Sequence, residues 1–318
     1  MDLSIAIVSW NTRELLDQCL QSVFDTVEGI EVEAIVVDNA STDGSADMVA
    51  AKYPDVKLLR NRVNLGFAGA CNTALQHSTG RYYLLLNSDT IVLGDALRSL
   101  MEFMDSHPEA GAAGSKHLNA DGSLQRSCRR FPDLLTELYD ALYLSKLFPK
   151  SRIFGSYSMS YWDFDETREV DFAGGSCLMV RREAIEEVGP LDEGYFMYTE
   201  EADWCYRLWQ SGWKVYYYPG AQVIHLGGQS ANRYGSDIHL HLYTSRNRFI
   251  YKHYGKAQAV AHRLIIALGA ACRICAYGAR HIVRRDMSAA VAFQLSVFRW
   301  SVGTPFAGRR AIDKGIVK

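Results

Sequence analysis

The sequence predicts an α/β protein, a mostly parallel central sheet with flanking helices, followed by a basic helical C-terminal region. Over the first hundred residues, short apolar runs alternate with amphipathic stretches, which is the pattern of a doubly wound sheet. One run, Tyr82 to Leu86, has no polar break, as a strand covered on both faces requires. Charge is also unevenly placed. Residues 246–318 hold 14 Lys and Arg against 2 Asp and Glu, leaving 20 and 34 for residues 1–245, so a +12 tail follows a −14 body and the chain totals −2.

Leu3 to Val8 reads as the first strand, and Asn11 with Glu14 as a capping box opening a helix with Leu16, Leu20 and Val23 on one face. Val32 to Val37 is the second strand, ending at Asp38-Asn39. STDGS at 41–45 then turns into a helix from Ala46 to Lys52. Val56 to Leu59 is a short third strand. NLGFAGACN at 64–72 is small enough for a backbone to approach a ligand before starting a helix. The fourth strand is 82–86, and Leu93 to Met104 is the next helix. GAAGSKHL at 111–118 is a strand, with NADGS at 119–123 as its hairpin turn. The segment 126–165 has little periodicity and reads as an excursion that covers or shapes a substrate site. Val170 to Val180 is a strand interrupted by Gly174-Gly175. A helix from Arg182 to Glu187 ends at Gly189-Pro190. Two further strands, Lys214 to Tyr218 and Ala221 to Ile224, lead to His225 and paired glycines.

The length suffices for one large α/β domain or two smaller ones. The opening MDLSIAIVSWN has an early Asp, no basic lead and too short an apolar run for a signal peptide. Seven irregularly spaced cysteines form no disulfide framework, which implies a reducing, cytosolic setting. Cys272 and Cys275 make a C-x-x-C without a second pair in an apolar helical stretch, so no metal or redox role is expected there. No stretch reaches the ~18–20 uninterrupted apolar residues of a membrane span. The nearest, Leu264 to Ala279, is broken by Arg273.

Chemistry concentrates at strand ends. In open α/β sheets ligands bind beyond the carboxyl ends of the strands, where Ser9 to Asn11, Asp38 to Asp43 and Asn87 to Asp89 fall. Asp89 suits a hard divalent cation shared with substrate phosphates, and Asp38 suits ribose hydroxyls or a base N–H. Each could instead cap its own turn. Glu200, Glu201 and Asp203 precede Trp204, Tyr206 and Trp209. They are either an acidic helix start favoured by the dipole or a general base in partly apolar surroundings. His225 is a metal ligand or a structural histidine.

In order, IVSWN (7–11), VVDNASTDGS (36–45), NLGFAGACN (64–72), LLLNSDT (84–90), FAGGSCLMVRREA (172–184), DEGYFMYTEEADWCYRLWQSGW (192–213) and VIHLGGQS (223–230) resemble the family 2 glycosyltransferases, nearest the rhamnosyltransferase-like branch. The resemblance spans about residues 3–255. It implies a GT-A fold and inverting transfer from a nucleotide-diphospho-sugar with Mg²⁺ or Mn²⁺. It also implies that Asp38 meets the nucleoside beside Ser9, and that Asn64, Asn87 and Asp89 complete the donor site. Asn87-Ser88-Asp89 falls on the family's D-x-D, with Asn as first member, as is familiar in this branch. Asp89 and His225 are then the implied metal ligands. The family's Glu-Asp pair corresponds to Glu200-Glu201. This makes Glu201 the implied base, one methylene longer than the family's Asp, with Asp203 as the alternative. Ala173 to Ser176 matches a loop facing donor and acceptor, and Arg207 to Gly212 the end of an R-x-x-x-x-G block.

The expected organisation is a catalytic domain over 1–255 and a basic amphipathic tail over 256–318. The expected reaction moves a sugar, rhamnose from dTDP-rhamnose being preferred, to a glycan or lipid-linked glycan in cell-surface polysaccharide assembly. A sugar-phosphate nucleotidyltransferase would want a Gly-rich phosphate loop after the first strand, which SWNTRELL lacks. A nucleotide-sugar-binding module without catalysis fits if Asn87 and Glu201 are inactivating. The tail mixes apolar runs (Leu264 to Cys272, Val291 to Val297) with Arg263, Arg273, Arg280, Arg284 and Arg285. It reads either as a peripheral contact with the anionic inner face of the cell membrane or as helices packed on the protein or on a second copy in a homo-oligomer. No basic-aromatic groove suggests nucleic acid.

Overall fold

The computed structural model describes residues 1–27, 29–227, 238–284 and 288–303. It divides into two compact units, Met1–Phe131 with Tyr157–Ser245, and Pro132–Ser156 with Arg246–Lys318. Compactness therefore does not divide the chain at 255. The middle of the 126–165 excursion belongs with the C-terminal helices rather than with the sheet.

In chain order the first unit builds β1 (Leu3–Ser9), α1 (Arg13–Phe24), β2 (Val32–Asp38), α2 (Ser45–Lys52), β3 (Lys57–Arg60), α3 (Gly66–Leu75), β4 (Tyr82–Asn87), β5 (Thr90–Val92), α4 (Ala96–Ser106), β6 (Ala110–Leu118), β7 (Leu124–Gln125) and β8 (Cys128–Arg129). The second unit contributes α5 (Leu134–Ala141) and α6 (Leu144–Leu147). The first then resumes with β9 (Arg168–Glu169), β10 (Phe172–Ala173), β11 (Cys177–Arg181), α7 (Arg182–Val188), α8 (Glu200–Gln210) and β12 (Lys214–His225). The C-terminal helices are α9 (Ile238–Tyr254), α10 (Lys256–Arg284) and α11 (Ser288–Val302).

The main sheet runs β3-β2-β1-β4-β11-β6-β12-β5. Its β3-β2-β1-β4 half is parallel, while β11 lies antiparallel between β4 and β6. Ile5, Ile7, Leu84, Leu86 and Met179 are buried in one core with Leu16 and Leu20 of α1 and Leu97, Leu100 and Met104 of α4. Each such side chain contributes about 1.5–3 kcal/mol. Elsewhere in the core, the Tyr83 hydroxyl donates to Cys71 O at 2.6 Å and its ring meets Trp204 edge-on. The expected strand from Val170 to Val180 is two strands in different sheets, since β10 pairs with β8. The two strands expected over 214–224 are one, with a register shift between Tyr218 and Gln222.

The expected capping box is absent. Asn11 is left-handed (φ 55) and its Oδ1 accepts from Thr42 N–H, while the Arg13 N–H opening α1 donates to Asp43 Oδ2 at 3.0 Å. Asp43 also accepts from Ser45 N–H, so one carboxylate serves two helix starts.

The second unit is centred on a buried ionic group. Glu137 pairs with Arg246 at 3.0 Å and lies 3.6 Å from His262 Nε2, while the Asn247 amide contacts His262 Nδ1 at 3.0 Å. Gly269 lets α10 approach α5, where an added Cβ would stand 2.9 Å from Ala141 Cβ. Arg263 donates to the carbonyls of Trp300, Ser301 and Gly303, and Arg273 to Asp140 O, so both serve the C-terminal ends of neighbouring helices. Of the two readings of the tail, these two arginines take part in the one of helices packed on the protein. Arg285 and the side chains of Arg280 and Arg284 lie outside the described residues. The interrupted run seen in the sequence still leaves one candidate membrane span among the described residues. Lys256–Tyr277 is long and apolar enough by length and composition, because its Leu, Ile and Ala outweigh two separated arginines. Within the protein, 39% of its apolar window is buried.

Burial works to raise the Glu137 carboxyl, but Arg246 and His262 hold it below the usual 4.5. A depressed acid contributes stability above its unfolded pKa and loses it as pH falls through the folded value. Melting temperature should therefore drop as pH falls below about 4.5, and Glu137→Gln should flatten that slope while lowering stability at pH 7. Thermal melts from pH 3 to 7 check it. An unchanged slope in the variant would locate the acid sensitivity elsewhere.

Candidate active site

Parallel pairing aligns Ser9 with Asp38 and Val8 with Asn87, so three neighbouring strand ends finish at one level. Asp38 is 5% exposed. Its Oδ2 accepts from Ser41 N–H at 3.2 Å, whereas Oδ1 is buried without a partner. A carboxylate oxygen left so is costly unless a ligand donor meets it. Ser9 contributes differently from the expectation. It is fully buried and exchanges a hydrogen bond with Thr12, whose hydroxyl contacts Ser88, so these hydroxyls tie the ends of β1 and β4 together.

Asn39 organises the next loop and was not singled out by sequence reasoning. Its Nδ2 donates to Asn64 Oδ1 (2.8 Å) and Gly66 O, and its Oδ1 accepts from Asn61 Nδ2 and Leu65 N–H. Asn64 Oδ1 also accepts from Gly66 N–H, which makes it a support of the loop. Gly66 (φ +75) is required where α3 begins, since a Cβ there would lie 2.3 Å from Phe196 O.

Asp89 follows β4 and is 7% exposed. Antiparallel pairing of β5 with β12 sets His225 opposite Thr90, and Leu226 N–H donates to Asp89 O. The side chains meet at 3.3 Å between His225 Nε2 and Asp89 Oδ1, with Asn87 Nδ2 also 3.3 Å from Nε2. Among the described residues no three His, Cys, Asp or Glu side chains converge, so the protein would offer a cation one carboxylate and one imidazole. That set fits an ion that takes its other ligands from diphosphate oxygens and water. Of the paired glycines after His225, Gly228 lies outside the described residues.

Behind this pair His117 is buried, and burial together with His225 pushes its pKa down to about 3. Its Nε2 contacts Ser176 Oγ at 2.8 Å, while Ser176 O accepts from Asn87 N–H, which anchors the Ala173 to Ser176 loop. At Gly175 an added Cβ would meet Phe67 at 3.4 Å and Glu201 Cβ at 3.7 Å, so the loop lies directly against the acidic helix start.

Two left-handed residues, Tyr198 (φ 69) and Thr199 (φ 72), lead into α8. A β-branched Thr there is strained, and such strain gathers at functional sites. Glu200 and Glu201 each keep a buried Oε2 without a partner. Burial raises both carboxyls. Glu200 rises further beside the charge of Glu201, and Arg129 on β8 draws Glu201 back down. Asp203 is engaged otherwise. It is fully buried, pairs with Arg207 at 3.0 Å and accepts from Tyr195 OH, and Arg207 in turn donates to the carbonyls of Val188, Gly189 and Pro190. With its carboxylate so occupied, Asp203 is a clamp on the turn before α8, whereas Glu200 and Glu201 each keep one buried carboxyl oxygen without a partner.

Residues 4–189 match the family described as "Glycosyl transferase family 2". The N-acetylglucosaminyl-diphospho-decaprenol L-rhamnosyltransferase of Mycobacterium tuberculosis is 31% identical over 73% of this chain and 78% of its own. The rhamnosyltransferase WbbL of Escherichia coli is 30% identical over 45% and 52%. A mannosyltransferase from Pyrobaculum calidifontis, solved with GDP-Man and Mn²⁺, superposes with a TM-score of 0.56 at 18% identity over 94% of this chain and 82% of its own, which establishes a shared GT-A fold. The chain belongs to glycosyl transferase family 2 and is rhamnosyltransferase-like.

Proposed function

We propose that this glycosyltransferase is metal-dependent and inverting, and that it moves rhamnose from dTDP-rhamnose to a glycan or lipid-linked glycan in cell-surface polysaccharide assembly. The observation that carries the reading is the presence of two centres in the first unit, the Asp89–His225 pair at the strand ends and Glu201, with a buried unpartnered Oε2, beside the glycine loop. Glu201 takes the proton of the acceptor hydroxyl. The acceptor oxygen bonds to the anomeric carbon as the bond to the diphosphate oxygen breaks, and the nucleoside diphosphate departs from the opposite face. Asp38 receives the nucleoside through its unpartnered oxygen. Asp89 and His225 would hold the cation, which would supply positive charge to offset that of the diphosphate. Imidazole is softer than the all-oxygen sets Mg²⁺ favours, so Mn²⁺ is the better fit.

For the second unit the proposal is a peripheral contact with the anionic inner face of the membrane. Val260, Leu264 and Leu268 recur four residues apart along α10 and are exposed, in a region rich in Lys and Arg. A lipid-linked acceptor would be met there.

Calorimetry with a panel of nucleotide-sugars tests the donor site. One donor, dTDP-rhamnose by this reading, should bind with Mn²⁺ or Mg²⁺ and lose at least tenfold in affinity in Asp89→Ala. Binding of a different sugar nucleotide would replace the donor assignment. Absence of binding by all of them, with and without metal, would remove it.

A further inference from the structure

The cation site has a support that neither motif nor spacing pointed to. Gln125 lies on β7, paired with His117 on β6. Its amide holds His225 at two points. Nε2 donates to His225 O at 3.0 Å, and Oε1 meets His225 Nδ1 at 2.6 Å. A third bond, from Nε2 to Asn119 Oδ1 at 2.9 Å, joins the clip to the hairpin turn. Both Nε2 contacts are to carbonyl oxygens, which only an NH₂ group can satisfy, so the atom facing Nδ1 must be the amide oxygen. An oxygen there requires the proton on Nδ1. The lone pair of the neutral ring is then on Nε2, the nitrogen 3.3 Å from Asp89 Oδ1. Nε2 and the Asp89 oxygen, two electron-pair donors, face each other at that distance, with the Asn87 amide also 3.3 Å from Nε2, and a cation can take both donors as ligands.

We propose that Gln125 is a positioning residue that fixes the tautomer and rotation of His225 so that Nε2 is presented to the cation. The inference rests on the reading of Asp89 and His225 as the cation's ligands. Partners of this kind typically change metal affinity by ~10–100-fold when removed. The side chain does not reach the reacting atoms, so its loss should be felt in metal binding.

The test uses the full chain, with dTDP as the nucleotide and Mn²⁺ followed by the electron paramagnetic resonance of the free ion. Gln125→Ala should weaken Mn²⁺ binding by about 10–100-fold. Gln125→Glu keeps an acceptor for Nδ1–H but turns a carboxylate oxygen toward His225 O and Asn119 Oδ1, so it should recover only part of the loss. A second measurement needs no metal. Long-range proton–nitrogen spectra of ¹⁵N-histidine protein at pH 8, with the His225 signals assigned by their loss in His225→Ala, should show the Nδ1–H form in wild type. They should show a mixture of tautomers in Gln125→Ala. If Gln125→Ala does not fold, Gln125→Asn, whose shorter side chain withdraws the oxygen, takes its place. Asp89→Ala and His225→Ala separate the two levels of the argument. Should both keep wild-type Mn²⁺ affinity, the cation site itself is misassigned. Should both lose it while the Gln125 variants bind Mn²⁺ normally and keep the Nδ1–H form, the role of Gln125 is overturned. Weak Mn²⁺ binding in Gln125→Ala with the Nδ1–H form of His225 unchanged would equally reject it in favour of general loss of packing.

Discussion

Glu201→Gln should leave donor and metal binding unchanged and lower turnover by about 10²–10⁴-fold, the usual worth of a positioned general base. The amide keeps the size and the fold of the first turn of α8 but cannot take a proton. The wild-type pH profile carries the second half of the prediction. Burial raises the Glu201 carboxyl above 4.5, and a base must be ionised to work, so kcat/KM should fall as pH drops through an apparent pKa above that value. Glu200 and Glu201 are close enough to titrate as a pair, so the limb belongs to both until variants divide it. Glu200→Gln removes the coupled neighbour, so the limb that remains belongs to Glu201 alone, and the variant should keep most of the rate. The opposite outcome, with Glu200→Gln inactive and Glu201→Gln near wild type, would transfer the base to Glu200.

What could be read from the chain follows from the range of the interactions involved. Tyr82 to Leu86 is legible as a buried strand because two-sided burial leaves an unbroken apolar run, and Asp38 and Asp89 are legible because each ends such a run. Their alignment follows once the strands are parallel neighbours. Residues whose work is done by partners far along the chain were not legible. Asn39 holds a loop 22–27 residues ahead, and Gln125 clips a histidine 100 residues away. The same distance misled the reading of α1, whose expected local cap is displaced by Asp43, 30 residues on. Arg263 and Arg273 look like an amphipathic face until the helix ends they serve, 37–40 and 133 residues distant, are in place. Asp203 is the instructive middle case. Its i,i+4 relation to Arg207 is visible in sequence, but such a pair is usually exposed and worth little, and only burial turns it into a clamp.

That clamp carries the other large effect. Asp203→Ala strands the Arg207 guanidinium in a largely buried position, and breaking one side of a buried pair typically costs about 3–5 kcal/mol. For a unit of this size the melting temperature should fall by roughly 6–20 °C. Asp203→Asn retains a carbonyl oxygen for Arg207 and for Tyr195 OH, so it should lose less. Because Arg207 also holds the carbonyls of the turn at 188–190, the damage should spread to the approach of α8 and reduce activity indirectly. The two carboxylates are therefore separable by pairing each activity with a melt. Glu201→Gln should be inactive at wild-type stability. Asp203→Asn should be destabilised, active in the cold, and still show the acidic limb of the wild type. If instead Asp203→Asn melted like wild type, lost turnover and lost that limb, the proton acceptor would be Asp203, and the salt bridge to Arg207 would have to open during the reaction.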